Sequence, residues 1–97
     1  MRTSSYLKID ETLRLSRVYE MLIKKNRGPK DVYVLCTSPS PQNLFEIITC
    51  NQLTKKYEDS YLLGISKNKA WLIDYTVVLI DQMYNVKSLT YEMLKAK

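Results

Sequence analysis

Two short segments of this 97-residue chain carry side chains that could do chemistry. Cys36-Thr37-Ser38-Pro39-Ser40 gathers a thiol and three hydroxyls, and Ser66-Lys67-Asn68-Lys69 adds a hydroxyl and two ammonium groups. Each follows a short apolar run that reads as a strand and precedes a run that reads as a helix. In an open α/β sheet, ligands bind at such strand-end loops, and the free N–H groups of a helix start favour an anion. If the two strands are parallel, both loops lie at the same end. Cys36, Thr37, Ser38, Ser40, Ser66, Lys67 and Lys69 would then line an anion or phosphate pocket. Cys36 becomes a candidate nucleophile, its pKa lowered by the helix end. The alternative makes Ser40 and Ser66 helix N-caps and leaves the lysines solvated. The spacing favours that alternative, because the chain has no Gly-rich phosphate loop and no arginine beside Cys36 of the kind a phosphatase loop needs. Nor does a second cysteine stand three residues from Cys36 to make a redox pair.

Other catalytic constellations fare worse. The chain contains no histidine, which excludes imidazole acid–base catalysis and leaves a zinc site without its usual ligands. Cys36 and Cys50 are too few for a disulfide framework, and Cys50 falls mid-helix in this reading, as a small apolar filler. Asp74 and Asp81 are about two helical turns apart and mark a polar stripe rather than a paired acid and base. Asp10 and Glu11 suit a helix start, where negative charge is favoured. These residues point to no catalytic set, no metal and no cofactor.

The elements that must position the loops follow from periodicity. Leu15, Val18, Tyr19 and Leu22 recur at helical spacing and predict a helix over 11–26, capped by Asp10 and ended by Gly28-Pro29. Leu7, Ile9, Leu13 and Leu15 also alternate, so the N-terminal segment could instead begin as a strand. Asp31 to Cys36 is short, β-branched and aromatic, a strand buried on both faces. Ser38-Pro39-Ser40-Pro41 reads as a turn. Leu44, Ile47, Ile48 and Asn51 predict a helix over 41–58, with Ser40 as N-cap and Pro41 in its first turn. Tyr61 to Ser66 reads as a second buried strand, in which Gly64 marks a close backbone approach or a bulge. The run from Lys69 to Tyr84 is apolar around most of its circumference, as in a helix buried on more than one side. Residues 88–94 make a short terminal helix. The expected fold is therefore α/β, in the order helix, strand, helix, strand, helix, short helix. Its centre is a βαβ unit on a small, mainly parallel sheet with packed helices. Two strands are too few for a sheet, so either the N-terminal segment adds a third or two chains combine as a homodimer.

Composition narrows the partner classes. One domain fits 97 residues. A chain of this size buries only roughly 60–65% of its unfolded surface, which makes completion of the core by a second copy attractive. No apolar stretch is long enough to span a bilayer. The start, Met1-Arg2-Thr3-Ser4-Ser5-Tyr6-Leu7-Lys8, runs into charge rather than an apolar leader, so a cytoplasmic location is expected and a membrane is not. The net charge is +5. Lys24, Lys25, Arg27 and Lys30 form the densest basic group and are the candidate nucleic-acid contacts. Eight tyrosines could stack on bases, but those at 33, 57, 61, 75 and 84 fall in or beside core elements. Abundant Lys, Asn, Ile and Tyr, with scarce Gly, Ala, Arg and Pro, follow the codons of an AT-rich genome and explain the charge without a polyanion. On the last long helix, Trp71 and Tyr75 are four apart and would anchor a protein partner if exposed. If the tail covers them through Leu89, Met93 and Leu94, they are core.

Val32-Tyr33-Val34-Leu35, Asn43-Leu44-Phe45-Glu46-Ile47-Ile48 and Leu62-Leu63-Gly64-Ile65-Ser66-Lys67-Asn68-Lys69 together resemble small uncharacterised proteins of clostridia and related Gram-positive bacteria, some of them carried on mobile elements. The resemblance covers roughly residues 31 to 94, implies a low-GC Gram-positive host and brings no activity or site residues with it. The functional expectation is a non-enzymatic accessory or protein-interaction domain. The alternatives are nucleic-acid binding through the basic cluster, and a small anion-binding protein or enzyme built on Cys36 and the strand-end loops.

Overall fold

The computed structural model describes residues 1–10 and 32–96. Four strands, β1 (Arg2–Ile9), β2 (Tyr33–Thr37), β3 (Phe45–Thr49) and β4 (Tyr61–Ser66), form one sheet in the order β1-β4-β2-β3. Two helices follow, α1 (Lys69–Tyr84) and the single turn α2 (Tyr91–Leu94). The helix expected over 11–26 lies outside the described residues.

The sheet is mixed, which corrects the mainly parallel βαβ core. β1 runs parallel to β4, but β2 is antiparallel to both β3 and β4. The difference arises at 41–58, where two periodicities compete. Leu44, Ile47 and Ile48 fit a helix, yet Phe45-Glu46-Ile47-Ile48-Thr49 also alternates and is rich in β-branched residues. A neighbouring strand decides between them. β2 is already extended, the Pro-rich turn closes through Ser38 N–H on the Leu44 carbonyl at 3.0 Å, and β3 returns along β2 from Thr37 opposite Phe45 to Tyr33 opposite Thr49. Residues 50–57 then make two 3-10 turns, Cys50–Gln52 and Lys55–Tyr57, rather than a continuous helix. In place of six alternating elements the described chain has four strands, one long helix and one short one. The N-terminal segment does supply a strand, β1, beside β4 at one end of the sheet order.

Side chains alternate across the sheet into two cores. Val34, Cys36, Leu62 and Ile65 face the 3-10 segment with Cys50, Leu53 and Tyr57. Leu35 and Leu63 face α1, with Leu72, Leu79, Leu89 and Leu94. The strand readings hold for β2 and β4, buried on both faces over residues 34–37 and 62–66, with Tyr33 and Tyr61 half-buried. Leu35 sits opposite Gly64 and Cys36 opposite Leu62, so Leu63 is an extra residue and β4 bulges there. Gly64 also lets α1 come close, since a Cβ at this position would stand 2.8 Å from Leu72 Cδ2 and 3.5 Å from Leu35 Cβ. Asn68 caps α1, accepting from Ala70 N–H at 3.0 Å. Beyond α1 the chain reverses through Lys87, whose φ of 59° is left-handed, and returns as α2.

The Gly64–Leu72 contact yields a test. Gly64→Ala should destabilise the chain by about 1–3 kcal/mol, the cost of overpacking a filled core. Urea midpoints should show this loss shrinking when Leu72 is also cut to Ala; two independent losses that simply add would refute the close approach.

Candidate functional site

The two strand-end loops do not meet. Because β2 and β4 are antiparallel, with Tyr33 opposite Ser66, the Cys36–Ser40 segment lies at one end of the sheet and Ser66–Lys69 at the other. No single pocket can include Cys36, Thr37, Ser38 and Ser40 together with Ser66, Lys67 and Lys69.

Each hydroxyl also has a structural occupation. Thr37 is buried, and its Oγ1 accepts from Tyr61 N–H at 2.8 Å, tying β2 to the start of β4. Ser38 donates to the Glu46 carboxylate and accepts from Ser40 N–H at 3.1 Å. Ser40 Oγ accepts from Gln42 N–H at 3.4 Å in the hairpin turn, so it is a turn residue and caps no helix. At the far end, Ser66 donates to the buried Asp10 carboxylate at 2.5 Å and accepts from Asn68 N–H at 2.9 Å. Lys67 and Lys69 are exposed.

Cys36 is fully buried, opposite Glu46 on β3. Burial, and then the Glu46 charge, pushes its thiol up to about 12. A nucleophilic thiol needs the opposite shift. The helix start expected to lower this pKa is absent, because β3 follows the turn. Tyr57 donates to the other Glu46 oxygen at 2.8 Å. Burial and that same carboxylate raise its phenol to about 12. Glu46 thus clamps Ser38 from the turn and Tyr57 from the 3-10 segment, holding the hairpin end closed.

Around this end the surface has two shallow depressions. One, of about 300 Å³, lies between the hairpin turn and α2, bounded by Ser38, Pro41, Leu44, Tyr91 and Lys95. The other, of about 240 Å³, lies between Ser38, Lys56, Asp59, Ser60 and Lys95. The two lysines do not form an anion trap. Lys56 Nζ lies 5.1 Å from the Tyr57 ring centroid and Lys95 Nζ 4.9 Å from that of Tyr91, while Asp59 brings negative charge to the rim and reaches Arg2 at 3.4 Å. Among the described residues, no three Cys, Asp or Glu side chains converge to hold a metal ion. The basic cluster Lys24, Lys25, Arg27 and Lys30 lies outside the described residues.

The larger candidate feature is α1. Its sequence suggests burial on several sides, but the structure buries one. Leu72 and Leu79 point into the core. Trp71 and Tyr75, the expected anchors, are half-buried against β1. The Tyr75 hydroxyl donates to the Tyr6 carbonyl at 2.7 Å, and Lys8 Nζ lies 5.8 and 5.4 Å from the Trp71 and Tyr75 rings. The tail lines the same core through Leu89 and Leu94, while Met93 remains exposed. The apolar surface left open is on a different side. Ile73, Val77, Ile80 and Tyr84 are exposed at 46, 60, 38 and 59%. Their spacing of four, three and four puts them on one stripe of the helix. Val78 is exposed on the opposite flank. The signal for the stripe was present in the sequence; what was missing was which arc of an apolar helix the sheet would cover.

Comparison with protein-family models, curated proteins and solved structures finds no match to this chain. Its function is therefore argued from its own geometry.

Cys36 gives the test of this end of the sheet. Its folded-state pKa lies above the ordinary 9.0, so the unfolded chain releases this proton first as pH rises. The associated stability is complete below pH 9.0 and is lost as pH climbs toward about 12. Between about pH 9 and 10 this one group should remove on the order of 1 kcal/mol from the unfolding free energy, and Cys36→Ala should flatten the profile in urea titrations. The native thiol should resist a thiol reagent at neutral pH until the chain unfolds. Rapid native labelling of Cys36 would return it to the list of candidate nucleophiles.

Proposed function

We propose that this protein acts by contact, as a non-enzymatic interaction domain, and that the outer stripe of α1 is the surface it uses. One observation carries the reading: four large apolar side chains, Ile73, Val77, Ile80 and Tyr84, stand in line on a capped helix and face solvent. Scattered exposed apolar residues are ordinary, whereas the largest contiguous apolar patch of a monomer, on the order of 300–600 Å², is often the functional one, and this stripe is the aligned apolar surface of α1. The helix is held from behind by Leu72 and Leu79, so the stripe is presented rigidly and a partner need not order it. The buried, proton-retaining Cys36 and the separation of the two loops support contact over catalysis. No helix among the described residues is long and apolar enough to cross a membrane.

The test pairs stability with binding. Val77→Asp with Ile80→Asp should change the unfolding free energy by less than about 1 kcal/mol, as expected of surface positions. The immobilised double variant should fail to retain proteins, further copies of itself included, that the unaltered chain retains from an extract of its source cell. A loss of several kcal/mol would show that the stripe belongs to the core, and equal retention by both would show that it is not the contact surface.

A further inference from the structure

We infer that the α1 stripe is closed by a second copy of this chain, the two helices lying parallel about a two-fold axis with Lys69 of each copy against Asp74 of the other. This rests on the reading of the stripe as a contact surface and names its occupant.

The spacing of 73, 77, 80 and 84 is the 4-3-4 of a coiled-coil seam, in which two like helices interlock knobs into holes. A two-fold pair is isologous, so one patch serves both sides, and four consecutive seam positions on one helix satisfy that condition without a separate complementary surface. The seam lies about 120° around the helix from Leu72 and Leu79, at 3.6 residues per turn. A two-fold axis along it carries the two sheets away on opposite sides. The flanks then choose the direction. With Ile73 and Ile80 at d and Val77 and Tyr84 at a, Asp74 and Asp81 both occupy e and Lys69 occupies g; all three are exposed. In a parallel pair, g of one helix faces e of the other five residues on, which sets Lys69 against Asp74 twice. In an antiparallel pair, e faces e, and Asp74 meets Asp81 twice in repulsion.

The area bears on the lifetime. Two such stripes bury on the order of 600–800 Å² together, below the roughly 1,200 Å² of a standard stable interface. The pair is therefore a reversible one, and local concentration governs how much of it forms.

Sedimentation equilibrium of the full chain, from about 1 to 500 µM at low salt, tests this. The mass should rise from 11.4 kDa toward twice that value. Val77→Asp should weaken association at least about a hundredfold, the cost of burying an unpaired carboxylate in the seam. Lys69→Asp and Asp74→Lys should each weaken self-association roughly three- to tenfold, and an equimolar mixture of the two should recover it, because the mixed pair restores both cross-chain contacts. Strengthening by Asp74→Lys would overturn the parallel arrangement. A monomer throughout the range, or a dimer indifferent to Val77→Asp, would overturn self-pairing. If that monomer still retains other proteins through the stripe, the contact reading survives with a different partner; if Val77→Asp instead unfolds the chain, both readings fail.

Discussion

The central position of β4 is the constraint on which the rest of the molecule depends. It is the one strand bonded to both an N-terminal and a hairpin neighbour, parallel to β1 and antiparallel to β2. Its residues Leu62 to Ser66 are buried without exception. The bulge at Leu63 puts two successive positions, Leu63 and Gly64, on the helix side, and the missing side chain at Gly64 lets Leu72 settle onto the sheet. That approach determines how α1 sits and which arc of it is covered.

The proposed contact function rests on what this docking leaves over. A single helix laid on a sheet can bury only the arc that faces it, and here Leu72 and Leu79 occupy that arc while Tyr75 and Trp71 lean toward β1. The remaining apolar residues have no sheet to meet. In a chain so small, the interior is filled before the apolar residues run out; of those left exposed, Ile73, Val77, Ile80 and Tyr84 line up on one stripe of α1, while Leu44, Val78, Val86 and Met93 are exposed elsewhere.

Both ends of the sheet show an economy of polar groups. Glu46 accepts from Ser38 and Tyr57, Thr37 holds the backbone of Tyr61, and Ser66 bridges Asp10 to the start of α1. Hydroxyls that look available for chemistry along the chain are spent on joining segments far apart in sequence. Most buried polar groups are satisfied in folded proteins, and in a two-sided core these short side chains are the means. Cys36 belongs to the same logic as a small apolar residue of the sheet.

How much of this was legible in the sequence depended on the range of the forces involved. Residue order alone identified a strand over 31–36, which the structure places at Tyr33–Thr37, the strand Tyr61–Ser66, the helix Lys69–Tyr84, and the special role of Gly64, because β-branched runs, turn residues and a missing side chain act locally. It left the first strand open and read 41–58 as a helix, because apolar positions there satisfy both periods and only a partner strand chooses between them. From that one choice came the parallel topology and the supposed convergence of the two loops. Strand direction is set by which backbone groups pair across the sheet, and the exposed arc of α1 by where the sheet lies beneath it. Those are contacts between distant segments, and the tertiary structure alone decides them.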